Sequence, residues 1–221
     1  MIKILKETLS NYRFEILLGT LFLNIFDRAI FLNVHFYLEY IWPVNMLLIA
    51  IACYGIFRER SKILNHLRNG LGLISLFVPL FYLIFRGRLW FSECLYTFFI
   101  FYYSFILFEV LRQIARSKEV RLNVVFGSFC GYMLLVLISL NTFLLIEYNF
   151  PFSFHGVSSN NPSLIFNELT YFSFAILTSN GIGDIYPITP LSRLLVSFFG
   201  MMGQFYMVAV VGIVVSRFAK K

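Results

Sequence analysis

Seven consecutive residues, Thr178-Ser179-Asn180-Gly181-Ile182-Gly183-Asp184, carry the chemistry this chain is equipped to do. Glycines recur at alternate positions, 181 and 183. Glycine reaches backbone angles that other residues avoid. Alternate glycines can therefore turn successive carbonyls toward one axis. Rings of fixed carbonyl oxygens, supplied by several chains, can replace the hydration shell of a permeating ion. Ser179 can add a hydroxyl ring at the inner end, and Asp184 can attract cations or anchor the strip at its outer mouth. The apolar run Tyr171 to Leu177 comes just before. As a short helix it would aim its partly negative C-terminus at the same place, which favours a cation. Nothing else in the sequence offers chemistry of this kind. His35, His66 and His155 are scattered among loops and span ends and read as surface or packing residues. Cys53, Cys94 and Cys130 lie inside apolar runs without zinc or disulfide spacing. No acid–base constellation, phosphate loop or nucleic-acid module is visible. The expectation is a protein that is not an enzyme and has neither cofactor nor nucleic-acid partner.

The elements that must hold this strip are membrane spans. The 221 residues are 59% apolar and 13% charged, with a mean hydropathy of +0.79. Soluble domains carry about 25% charged residues, so a soluble globular enzyme is excluded, and so is a disordered chain. Apolar runs at 14–34, 41–57, 70–85, 89–110, 122–149 and 191–218 predict six spans. A shorter run at 163–177 lies between the last two. Runs two and three are near the lower length limit for a span. They are separated by Arg58, Glu59, Arg60, Lys62, His66 and Arg68.

The net charge of +7 comes from basic residues at the ends of these runs. Lys3, Lys6, Arg13, Arg58, Arg60, Lys62, Arg68, Arg112, Arg116, Lys118, Arg121, Arg217, Lys220 and Lys221 fall on one side, and Arg86, Arg88 and Arg193 on the other. Basic residues mark the cytoplasmic side, so both termini are expected there. Residues 150–190 are then external. They combine Pro151, Pro162, Pro187 and Pro190 with an apolar middle, as a loop re-entering the membrane would. Non-helical backbone at membrane depth requires shielding by protein or a watery cavity.

A voltage sensor needs several basic residues within the membrane. The fourth run, Leu89 to Val110, has none in its apolar body. Arg112, Arg116 and Arg121 read as a linker helix at the membrane surface, with Glu109 able to pair with Arg112 or Arg116. Asp27 and Arg28 in the first run read as a structural ion pair or as snorkelling side chains, with a functional role as the rival. The last run would be about 42 Å long as a helix, and Gly200, Gly203 and Gly212 provide flexible points or close packing. Gln204 faces a wet cavity or bonds a neighbouring helix. Val210 to Phe218 is apolar enough for a dewetting gate or for core packing. No soluble ligand-binding domain is expected after Phe218, and no cleavable leader before the first run.

The strip and its flanks resemble the pore region of tetrameric potassium channels, whose pattern is T-x-G-Y-G-D after a short pore helix. The likeness covers about 60 residues, from the pore helix through the last span. The first half more loosely resembles six-span bacterial ion channels that lack a charged voltage sensor. The resemblance implies an all-α integral membrane protein with six transmembrane helices and a re-entrant pore loop. Residues 1–111 would be a four-helix sensor-like bundle, 112–121 a cytoplasmic linker and 122–221 the two-helix pore module. It implies a homotetramer in the lipid bilayer of the bacterial inner membrane, conducting potassium passively. Thr178, Ser179, Asn180, Gly181, Ile182 and Gly183 would form the selectivity filter, with potassium ions at its carbonyls. Asp184 would sit at the mouth, Tyr171, Phe172 and Ala175 would support the filter, and Gly203 would be the hinge.

The departures are specific. Asn180 replaces the family's Val, Ile182 its Tyr, and Tyr171 and Phe172 its Trp pair. Ile182 cannot donate to an aromatic cuff and Phe172 cannot accept, so polar bracing is lost. Carbonyl oxygens survive any side-chain change. Conduction therefore stands, while a weakly selective monovalent cation channel, a non-conducting membrane subunit and a transporter stay open. A lipid or a regulatory protein is a further partner class.

Overall fold

The computed structural model describes residues 12–31, 33, 36–56, 62–85, 88–117, 122–158 and 162–212. Lys3, Lys6, His35, Arg58, Glu59, Arg60, Arg86, Lys118, Arg121, Arg217, Lys220 and Lys221 lie outside the described residues, as do residues 213–218 of the apolar stretch considered for a gate. The chain divides into two compact units. The first comprises Met1–Arg86 and Phe105–Met133, and the second Gly87–Ser104 and Leu134–Lys221.

In the first unit, helix α1 spans Arg13–Phe26 and tightens into a 3-10 turn at Asp27–Ala29. Phe14, Leu17, Leu21 and Ile25 recur at helical spacing and are buried. A π turn at Tyr37–Ile41 leads into α2, Trp42–Ile56, and α3 follows at Lys62–Phe85. Helix α2 packs on both α1 and α3, with the Trp42 and Tyr82 rings edge to face at 5.2 Å. Helices α4, Leu89–Arg116, and α5, Leu122–Asn149, contribute one end to each unit. The start of α5 lies against α1 through two small residues. A methyl on Gly127 would sit 3.3 Å from the Phe14 ring, and Cys130 Sγ donates to Phe14 O at 3.2 Å.

Three run boundaries differ from the sequence expectation. The first run stops being α-helical at Phe26, because Asp27 and Arg28 are drawn into a buried polar cluster. Asp27 Oδ2 accepts from Asn45 Nδ2. Arg28 donates to Phe31 O at 2.8 Å and lies over the Tyr37 ring at 5.0 Å. Asp27, Arg28, Asn45 and Tyr37 are all buried. The third run starts earlier than residue 70. Helix α3 takes in the charged stretch from Lys62, and buried Arg68 bonds Asn69 Oδ1. Helix α4 also continues unbroken past Val110 to Arg116. There Glu109 accepts from Arg112 at 3.3 Å and from Gln113 at 2.9 Å. Gln113 in turn donates to Ile56 O.

Among the described residues, four helices are long and apolar enough to cross a membrane: Asn65–Phe85, Trp90–Arg116, Leu122–Asn149 and Pro190–Val210. Tyr37–Cys53 and Leu164–Leu177 are apolar but shorter. Helix α1, with 14 residues, is also shorter than the ~20 residues that span a bilayer untilted.

The second unit carries the strip. Helix α6 spans Pro162–Leu177, close to the run read at 163–177, and α7 spans Pro190–Tyr206 with a π turn at Met207–Val211. Thr189 caps α7 by accepting from Ser192 N, and Pro190 begins it. Phe143, Phe154, Phe172 and Phe199 form the core of this unit. Phe143 meets the other three rings at 5.4–5.5 Å, and Phe154 meets Phe172 at 5.6 Å. Two short strands, β1 at Phe154–His155 and β2 at Tyr186–Pro187, pair antiparallel.

Candidate functional site

The end of α6 sets the conformation of the strip. Ser179 N–H donates to Ile176 O at 3.1 Å and Asn180 N–H to Ala175 O at 2.9 Å. These two bonds satisfy carbonyls that a helix C-terminus leaves orphaned, and they demand a left-handed residue just past the last turn. Ser179 fills that place with φ 58, where glycine is the usual choice. Gly181 follows with φ 51 and Gly183 with φ 85. Asn180 and Ile182 are not among the residues of positive φ. Left-handed residues thus recur at every second position from 179 to 183. Alternating with right-handed neighbours, they would line successive backbone groups up on one side. Side chains are unnecessary for this effect, so Asn180 and Ile182 do not disturb it.

The inner end of the strip is held from α7. Gly203 is buried, and a methyl there would lie 2.5 Å from Leu177 O and 2.9 Å from Leu177 Cα. The last turn of α6 rests directly on α7 at this point. That close approach accounts for a glycine at 203 by packing alone. Gln204, the next residue, donates from Nε2 to Ser179 Oγ. Thr178 Oγ1 donates to Phe174 O at 2.7 Å.

The outer end is clamped by the segment after α5. Asp184 Oδ1 accepts from Tyr171 OH at 3.1 Å and from Ile185 N–H at 2.9 Å. Gly156, with φ 82, lies against the Asp184 carbonyl so closely that no side chain fits. Strand β1 pairs with β2 two residues beyond Asp184, and the His155 and Tyr186 rings stack at 4.5 Å. Ser153 O accepts from Ile188 N–H at 2.8 Å and from Ser192 Oγ at 3.0 Å. Beneath this loop, buried Glu147 accepts from Phe152 N–H at 2.9 Å and Phe154 N–H at 3.2 Å.

The residues singled out from sequence therefore separate. Thr178 to Asp184 form one exposed ribbon. Tyr171 touches its mouth through Asp184, and Ala175 touches its base through the Asn180 N–H. Phe172 faces away into the phenyl core, so it backs the ribbon only by fixing α6. Glu147, Ser153, Gly156 and Ser192 were not anticipated. Glu147 had a signal, as a lone carboxylate near the end of an apolar run. Gly156 and the two serines had none, since their importance comes from contacts distant in sequence.

Residues 124–220 match the family model described as an ion channel. No curated protein and no solved structure matches the chain. The ion channel domain runs from the start of α5 through α6, the ribbon and α7. The match covers less than half of the chain, and with the four long apolar helices among the described residues it supports an ion channel domain in an integral membrane protein, and passive ion conduction.

Proposed function

We propose that the protein is a homotetrameric potassium channel whose filter is the ribbon Thr178 to Gly183. The alternation of left-handed residues at 179, 181 and 183 carries the reading. A ribbon of that kind offers a file of carbonyl oxygens to an ion stripped of water. One chain can supply only one wall of such a file, and the ribbon is exposed in the single chain. Closure around an axis needs further copies. Helix α7 and the π turn after it also carry an exposed apolar stripe, Leu194, Phe198, Met201, Phe205 and Val208, suited to a neighbouring subunit or lipid.

In this reading six spans cross a bacterial inner membrane, α1 and the Tyr37–Ile56 segment included, with both termini cytoplasmic. Asp184 faces outside and Gln204 inside. Steep voltage gating is not part of the reading, because α4 has no Lys or Arg between Arg88 and Arg112. The stimulus would come from lipid, external ions, pH, membrane tension or a partner protein. Ile182, 64% exposed, favours a second reading of weak selectivity among monovalent cations, because its side chain offers no polar group to brace the ribbon at that level. The reversal potential of purified protein in planar bilayers, with potassium on one side and sodium on the other, tests both. A value near the potassium equilibrium potential is expected. A value near zero with clear current would establish the weakly selective reading instead.

A further inference from the structure

The two hydroxyls at the inner end of the ribbon are not equivalent. Thr178 Oγ1 is turned back into its own helix, on Phe174 O. Ser179 Oγ instead accepts from Gln204 Nε2, an amide reaching over from α7. Backbone fixes both partners. Ser179 is pinned by its N–H on Ile176 O at the end of α6. Gln204 follows Gly203, whose backbone lies against Leu177 with no room for a methyl. A hydroxyl oxygen has two lone pairs and one proton. The amide occupies one lone pair, so only one remains for anything in the pathway.

We propose that Gln204 is a positioning residue that holds the Ser179 hydroxyl and thereby weakens the innermost cation ring. The proposal rests on the filter reading above and deepens it. With the amide in place, the ring offers one lone pair per chain and four amide dipoles pointing their positive ends at it. A cation arriving from the inner side then passes on to the carbonyls beyond rather than lodging at the entrance. Removing the amide frees the second lone pair and tightens the ring. The residue thus sets how long a cation dwells at the inner end without itself touching the cation.

Barium is a suitable probe, a divalent cation close to potassium in radius. Its binding to the full-length protein in detergent, free of potassium, is measured by isothermal titration calorimetry, which needs no open gate. Gln204→Met keeps the side-chain length while removing the amide, and should tighten barium about tenfold, the worth of one hydrogen-bond-strength interaction with a charge. Combined with Ser179→Ala the same change should do nothing, since there is no hydroxyl to release. Ser179→Thr should restore the effect. Gln204→Leu serves if Gln204→Met does not assemble. Unchanged affinity in Gln204→Met, while Ser179→Ala alone weakens binding, would overturn the proposal and leave the filter reading standing. Equal tightening with and without Ser179→Ala would overturn it too, by assigning the effect to α7 packing. Failure of the wild-type assembly to bind either barium or potassium would overturn the filter reading itself.

Discussion

Gly203→Ala separates packing from flexibility in α7. An added methyl would stand 2.5 Å from Leu177 O, 2.9 Å from Leu177 Cα and 3.0 Å from Leu177 Cδ2. Two of these atoms are backbone at the last turn of α6, so neither can swing aside. Relief requires α7 to move away from α6 by several tenths of an ångström or more. Overpacking of this kind costs about 1–3 kcal/mol. Alanine returns some of this, since it is favoured over glycine in a helix by up to about 1 kcal/mol. The net expectation is a loss on the order of 1–2 kcal/mol. Leu177 is two residues from Ser179, so the displacement also pulls on the Gln204 bond and should lower potassium flux. Gly200→Ala is the control, because its methyl would meet only Ile176 Cγ2 at 3.7 Å. That variant should match or slightly exceed the wild type in stability. The assay is thermal unfolding of the purified full-length protein in detergent, beside potassium flux in proteoliposomes. A Gly203→Ala protein as stable as Gly200→Ala but altered in flux would refute the packing argument and support a hinge.

Gly156→Ala should destabilise the mouth, because φ 82 disfavours a side chain and the methyl would strike Asp184 O. The expected loss is about 1–3 kcal/mol, read as a lower unfolding temperature of the full-length protein. Tyr171→Phe removes the hydroxyl on Asp184 but leaves the Ile185 N–H in place. It should keep the fold and raise sodium permeability relative to potassium severalfold, measured as a shift in reversal potential. Glu147→Ala strands the buried N–H of Phe154 and the part-buried N–H of Phe152 and should cost about 1–3 kcal/mol, seen as faster backbone hydrogen exchange across residues 150–156. Arg112→Gln breaks a partly exposed pair with Glu109. It should change stability by no more than about 1 kcal/mol and leave the voltage dependence of open probability unaltered.

Where periodicity or glycine spacing governed the backbone, the sequence was readable. The run at 122–149 became a helix with those same ends because it is apolar on every side and buried over most of its second half. The run at 163–177 lost nothing in folding, since Pro162 and the turn at Thr178 bound it. Alternate glycines announced two of the three left-handed residues. The third, Ser179, was hidden because helix-capping bonds rather than residue type put it there. Asp27 ended α1 early for a similar reason, as its partner Asn45 is 18 residues away. The charged stretch between runs two and three is too charged for hydrocarbon, which does not bar a helix: α3 begins at Lys62, and Arg68 bonds Asn69. The clamp at the mouth depends on pairings such as Gly156 with Asp184 and Ser153 with Ser192, which no local pattern encodes.

The ribbon is tied at both ends within its own chain, to α6 and α7 at the inner end and to Tyr171, Gly156 and the β1–β2 pair at the outer end. This has a consequence for biogenesis. Fixing the backbone of a residue costs about 1–2 kcal/mol of conformational entropy. For these residues that cost falls in the folding of the single chain. In the proposed tetramer, copies would then join as parts already shaped, and the association step would have no loose segment to order. Loosening a tie would transfer the cost to that assembly, so the yield of the proposed tetramer would come to depend on protein concentration and on the cation present.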